Sequence, residues 1–183
     1  MFSAEKTEDN TYSVPVTKSR NFSAFVQEGF NIGVTDAEIG LRVENATVDS
    51  HNTKGSESTF TPISISASDM WKIDDQNTIN IGVTRSQRAP QVQELFFDGT
   101  HETTRTYERG NPNLAMETSY NADIGYKFNS SWVSAELNLF HNWVDDYISL
   151  QRTGATVGGS PETIYKQNRA TFMGYEAQFI FHL

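Results

Sequence analysis

Between Thr78 and Thr84 every second side chain is apolar: Ile79, Ile81 and Val83 alternate with Thr78, Asn80, Gly82 and Thr84. A two-residue period fits a β-strand with one apolar face, because successive strand side chains point to opposite sides. The same period recurs along the chain. It predicts strands over residues 20–30, 37–48, 59–71, 78–85, 120–128, 132–150 and 163–181. Ile39, Leu41 and Val43 carry it in the second of these, and Ile63, Ile65 and Ala67 in the third. Val133, Ala135, Leu137 and Leu139 carry it in the sixth; Met173, Tyr175, Ala177, Phe179 and Phe181 carry it in the last. Phe25 falls out of phase in the first.

The connections between these runs differ in length. Residues 31–36, 74–77 and 129–131 read as tight turns, whereas 49–58, 87–117 and 154–162 read as longer polar loops rich in turn formers. Pro62 fits best near a strand end, since it cannot donate to a ladder. Pro90–Phe96 could make one helical turn, because proline is comfortable at a first helical position. Aromatic residues gather at the short-turn ends: Phe30, Trp71, Phe128, Trp132, Phe179 and Phe181. Short turns on one side, long loops on the other and an aromatic band beside the short turns are marks of an outer-membrane β-barrel. A soluble antiparallel sandwich also alternates its faces, but it has no reason to segregate loop lengths by side. It stays open as a rival: a surface module binding a partner or a glycan.

The non-apolar face carries Arg42, Glu44, Asp123, Lys127, Glu136 and Glu176. Charged residues are almost never fully buried unless paired, so that face must line water or meet a polar plug. Large barrels have such an interior, up to the plugged lumen of the 22-stranded transporters. The expected fold is therefore all-β: an antiparallel meander of about seven strands, part of a larger transmembrane β-barrel of about 22 strands. The segmentation that follows is an extracellular loop segment over residues 1–19 and a partial barrel over 20–183. No run of apolar residues is long enough for a transmembrane helix. A mean hydropathy of −0.53 does not argue against a barrel, because alternating faces average out. A net charge of −9 excludes nucleic-acid binding by bulk electrostatics, and the absence of cysteine excludes thiolate metal sites. Met1–Asn10 has no signal-peptide pattern, so any export signal would lie outside this chain. No nucleophile elbow, zinc-protease helix or phosphate loop is present, and no enzyme is expected.

Several motifs then carry a family likeness. Arg85-Ser-Gln-Arg-Ala-Pro90, Gln93-Glu94-Leu95-Phe96, Gly99-x-His101, Thr106-Tyr107-Glu108-x-Gly110-Asn111-Pro112-Asn113-Leu114 and Glu117-x-Ser119 resemble the barrel of TonB-dependent outer-membrane receptors, in particular the zinc-uptake (ZnuD-like) group. Leu137–Phe140 with Asn142, Asp146-Tyr147-Ile148 and Gly174-Tyr175-Glu176 extend the likeness over most of residues 20–183. It implies a receptor of the bacterial outer membrane, bathed in outer-membrane lipid, that captures a scarce metal or chelate and imports it. Zinc is the favoured cargo, entering only as a transported ligand and not as a resident cofactor; a siderophore or another chelate is the alternative. An N-terminal plug would fill the barrel, and TonB would supply energy through the full-length receptor. Plug, TonB-contact segment and further strands are absent from this sequence, so this chain alone is not expected to transport.

The candidate metal ligands lie in the long loop: His101 beside Asp98, Glu102 and Glu108, because imidazole with carboxylates suits zinc. A solvated loop histidine is the plain alternative. His51 beside Asp49 is a weaker candidate in the preceding loop. His141, near Asp145 and Asp146, shares its strand face with Leu137 and Leu139 and reads as an interfacial residue. Arg85, Arg88 and Arg105 fit either an anionic siderophore or carboxylates of a plug or strand. Phe96, Phe97 and Tyr107 read as loop packing.

Overall fold

The computed structural model describes residues 16–50 and 56–182. The chain runs through β1 (Thr17–Ile32), β2 (Thr35–Ser50), β3 (Ser56–Phe60), β4 (Ile63–Lys72), β5 (Asn77–Arg88), α1 (Val92–Phe96), β6 (Asp98–His101), β7 (Thr106–Arg109), β8 (Glu117–Asn129), β9 (Val133–Val157) and β10 (Ser160–Phe181). The strands form one ten-stranded sheet in the order β1-β2-β4-β5-β8-β9-β10-β7-β6, with β3 alongside β2. Setting aside β3 and the short β6 and β7 leaves seven wall strands in a plain antiparallel meander. This is the expected all-β fold.

Register turns seven local alternations into one surface. Residues directly opposite in an antiparallel pair share a face. Leu41 faces both Val26 and Ile65. Ile81 faces Ile124, Ile124 faces Leu139, and Leu139 faces Tyr175. A slip of one residue anywhere would put a polar row into this surface. The apolar face stays open: Ile65, Ile81 and Val83 are each about half exposed (51 %, 52 % and 51 %). Among the described residues no second sheet covers it, which corrects the sandwich alternative, since a sandwich buries its apolar faces against each other. The opposite face is polar and internally bonded. Arg42 pairs with Glu44 at 3.0 Å, Ser119 Oγ donates to Asn142 Oδ1 at 2.6 Å and Asn121 Nδ2 to Asp123 Oδ1 at 2.9 Å.

Several predicted boundaries move. The run expected over 59–71 breaks at Thr61-Pro62 into β3 and β4, and the Pro62 carbonyl instead accepts the Glu44 N–H at 2.9 Å. The loop expected over 154–162 is a continuous hairpin. Gly158 and Gly159 both have positive φ (57° and 85°), the two-residue turn whose twist matches the flanking strands. With 25 residues, β9 is far longer than the roughly 9–11 needed to span a bilayer, so its upper half projects beyond the wall. The loop expected over 49–58 is shortened from both sides, by β2 and by β3; His51 lies outside the described residues. The 87–117 loop contains the expected single helical turn and also a small hairpin, β6–β7.

Candidate functional site

The long-loop end holds the molecule's compact core. Val48, Leu95, Phe96, Leu114 and Ile148 are buried together, with Phe60, Val92 and Tyr165 packed around them. Strands β2, β9 and β10 therefore grip the segment that follows β5. Asp146 has φ 55° where the β9–β10 register shifts. Such a bulge redirects the strand. Beyond it Ile148, opposite Gln167, and Tyr165, two residues along, meet the loop.

Arg88, the last residue of β5, ties this loop to the wall. Its guanidinium nitrogens lie 2.9 and 3.1 Å from the two oxygens of Glu94 on α1, and 3.0 and 3.1 Å from those of Glu117 at the start of β8. Glu94 also accepts the Gln91 N–H at 2.7 Å, fixing the start of the short helix, and Glu117 accepts the Ile148 N–H at 2.9 Å. One arginine thus joins β5, α1, β8 and β9. Of the two roles open to Arg88, binding wall and loop carboxylates is the one observed.

The family-like run at 110–115 is the second fastening. A side chain at Gly110 would place its Cβ 2.6 Å from the Leu95 carbonyl carbon and the Phe96 nitrogen, so only glycine lets the two backbones approach. Gly110 N–H donates to the Phe97 carbonyl at 2.6 Å and Asn111 N–H to that of Glu94 at 2.8 Å. Asn111 Nδ2 donates to the Tyr165 carbonyl at 3.3 Å. Gln167 brackets the Ala115 backbone, accepting its N–H at 2.9 Å and donating to its carbonyl at 3.0 Å.

The four candidate ligands sit on this scaffold but do not converge. In the β6–β7 ladder, Gly99 pairs with Glu108 and His101 with Thr106, which puts His101 and Glu108 on one face. His101 Nδ1 is 3.7 Å from Glu108 Oε1, and the Thr104 hydroxyl lies between them at 3.0 and 3.2 Å. Glu108 is buried and accepts a further hydrogen bond from Thr106. Asp98 pairs with Arg109 and lies on the opposite face, where it accepts the Tyr107 hydroxyl at 2.9 Å. Glu102 is exposed in the turn after β6. Among the described residues no three His, Cys, Asp or Glu side chains are placed to hold one metal ion. Burial raises the pKa of the Tyr165 phenol, and the nearby charges of Glu108 and Glu94 add to it. Burial also raises that of Tyr107, helped by Asp98. Phe96 and Phe97 are buried, as their reading as loop packing requires, and Phe97 meets the His101 ring edge-on at 6.3 Å. His141 stacks on Trp143 with ring centres 3.9 Å apart and faces Ala122 and Met173 on the apolar side. Arg105 sits in the β6–β7 turn with φ 53°.

An open sheet with an exposed apolar face, a polar opposite face, short turns at one end and a folded loop at the other is a section of an outer-membrane β-barrel wall. The family model described as "TonB dependent receptor-like, beta-barrel" matches residues 2–181, and the chain belongs to that family. A probable TonB-dependent siderophore receptor, PirA of Acinetobacter baumannii, is 28 % identical over 155 residues, covering 78 % of this chain and 19 % of the relative. The iron-regulated outer membrane virulence protein of Vibrio cholerae is 33 % identical over 81 residues, 44 % of this chain and 12 % of its own length. The copper transporter OprC superposes with a TM-score of 0.78 at 19 % identity, over 96 % of this chain and 28 % of the transporter. The chain thus spans a fifth or less of the length of these two sequence relatives. Its place is the bacterial outer membrane.

Proposed function

We propose that this chain is a wall-and-loop portion of a receptor that imports a scarce metal held in an organic chelate, and that the loop after β5 meets the cargo on the extracellular side. The observation that carries this reading is the donor set of the loop. His101 and Glu108 supply two donors on a shared face, whereas bare zinc asks for three or four. A chelate brings its own donors and asks the protein for shape and polar contacts. The Acinetobacter baumannii relative, described as a siderophore receptor, supports the same reading. Zinc itself is the second reading, favoured by the His101–Glu108 pair, with Glu102, Asp98 after rearrangement, or a plug residue completing the site. In either case plug and TonB act through the full-length receptor.

The test is uptake of radiolabelled ferric chelates and of radiolabelled zinc by cells that carry the full-length receptor or its deletion. The chelate reading expects receptor-dependent ferric chelate accumulation that His101→Ala leaves unchanged. The zinc reading expects receptor-dependent zinc accumulation that His101→Ala lowers at least tenfold. If neither label depends on the receptor, the importer reading fails.

A further inference from the structure

Arg85 lies on the wrong face for a soluble cation. It stands opposite Ile65 on one side and Tyr120 on the other, and Tyr120 stands opposite Trp143. All four project from the apolar surface. Among the described residues no carboxylate lies within ion-pair distance of Arg85. Its guanidinium rests 5.9 Å over the Tyr120 ring, and Nη1 donates to the Ile63 carbonyl at 3.3 Å. An arginine has five N–H donors in a planar fork, so most of this group's donor capacity is left over.

The height of this group on the wall matters. Arg85 is eight residues along β5 from Asn77, which stands opposite Phe128 in the aromatic band beside the short turns. At about 3.4 Å per residue and a strand tilt near 40°, that is about 20 Å of apolar band. Tyr120 and Trp143 therefore form the second aromatic row, at the level where acyl chains give way to headgroups on the long-loop side. Both are exposed, at 41 % and 46 %. Three strands further along, Arg169 is already paired with Asp145 at 3.4 Å. The chain's net charge of −9 offers no diffuse attraction for anions, so an anion held here must be held locally.

We infer that Arg85, framed by Tyr120 and Trp143, docks a phosphate of a phosphorylated glycolipid in the outer leaflet. The guanidinium fork matches two phosphate oxygens, and the rings pack against the sugar and the first methylenes. The competing description is an arginine that merely extends its head to water along its aliphatic stem.

The full-length receptor in non-ionic detergent, stripped of lipid, is titrated with bisphosphorylated lipid A and with its dephosphorylated form, and adducts are counted by native mass spectrometry. Wild type is expected to bind the phosphorylated form at least tenfold more tightly. Arg85→Gln loses about tenfold, as a charge-assisted contact should, and Arg85→Lys recovers part of the loss. Lys127→Gln, on the polar face, changes nothing, and millimolar inorganic phosphate does not compete. Equal binding of the two lipid forms by wild type overturns the inference without any variant. So does unchanged binding in Arg85→Gln, an equal loss in Lys127→Gln, or full competition by inorganic phosphate.

Discussion

The Arg88 clamp makes the sharpest claim about how the loop is held. Arg88→Ala removes the guanidinium from between Glu94 and Glu117, whose side chains are only 12 % and 13 % exposed. Breaking one partner out of a buried pair costs about 3–5 kcal/mol. Arg88 itself is 37 % exposed, so water screens part of this. Each carboxylate also keeps one backbone donor, from Gln91 or Ile148. About 2–3 kcal/mol is left. The loss should be local, because the wall strands are held by their ladders and by lipid, whereas residues 89–116 are held by the clamp, the small Leu95 core and a few hydrogen bonds to β10. Hydrogen exchange of the full-length receptor reads it directly. The amides of Leu95, Phe97, Gly110 and Asn111, each bonded within this segment, should exchange about 30- to 100-fold faster in Arg88→Ala, a factor of ten for each 1.4 kcal/mol. Amides of β4 should not change. Adding Glu94→Gln and Glu117→Gln to the variant should restore part of the protection, since the penalty lies in uncompensated charge. Acceleration below about threefold, or no recovery with both glutamines, would refute the clamp.

Other perturbations separate wall from loop. Gly110→Ala should destabilise the same loop amides by about 1–3 kcal/mol, because its Cβ meets the backbone at Leu95 and Phe96 and not a movable side chain. The readout is the same exchange experiment with unchanged far-UV circular dichroism. Ile81→Arg, mid-band on the apolar face, should cost about 2–4 kcal/mol in refolding titrations of the full-length receptor into liposomes, whereas Trp71→Arg, at the aromatic band, should cost at most about 1 kcal/mol; equal costs would deny that this face meets lipid. The Asp74 carboxyl is held below its ordinary pKa by the Gln76 N–H and by Asn77, so its stabilisation of the turn is present above the unfolded-state pKa and fades as pH falls through the lowered value. The gap in urea midpoint between wild type and Asp74→Ala should therefore narrow as pH falls below the ordinary carboxylate range, about pH 4; a gap that stays constant on acidification would assign the turn to other contacts.

The wall was legible in the sequence because its code is local. Ile79, Ile81 and Val83 declare a face without knowledge of any partner, and the seven runs with short turns between alternate pairs leave little choice of neighbour. Elsewhere contacts or backbone angles, rather than period, decide the structure. Pro62 lies beside a strand end, as its missing donor requires, but the period across 59–71 does not reveal that the run is two strands and not one. Gly158-Gly159 looked like loose loop, because composition does not distinguish a flexible glycine pair from one locked with both φ positive. The clamp was half visible: Arg88 was an arginine in need of a carboxylate, but Glu94 and Glu117 are 6 and 29 residues away, and nothing in the sequence says which of the many acids it meets.

The loop shows why family likeness and cargo are separate questions. The residues that carry the likeness between 85 and 119 are largely those that fasten the loop. Arg88, Glu94 and Glu117 form the clamp, Leu95, Phe96 and Leu114 fill the core, and Gly110 and Asn111 join backbone to backbone. Residues occupied in this way are not free to bind, so a likeness carried by them reports loop architecture and not the ligand. Selectivity has to come from side chains the scaffold presents without using. Around the β6–β7 hairpin these are Glu102 and Arg105 in the turn, with His101 behind them. A swap of residues 101–106 between this receptor and a relative of different cargo should therefore shift uptake specificity and leave the protection of Leu95 and Gly110 unchanged. A swap that unfolds the loop, or one that leaves cargo untouched, would place selectivity elsewhere in the barrel.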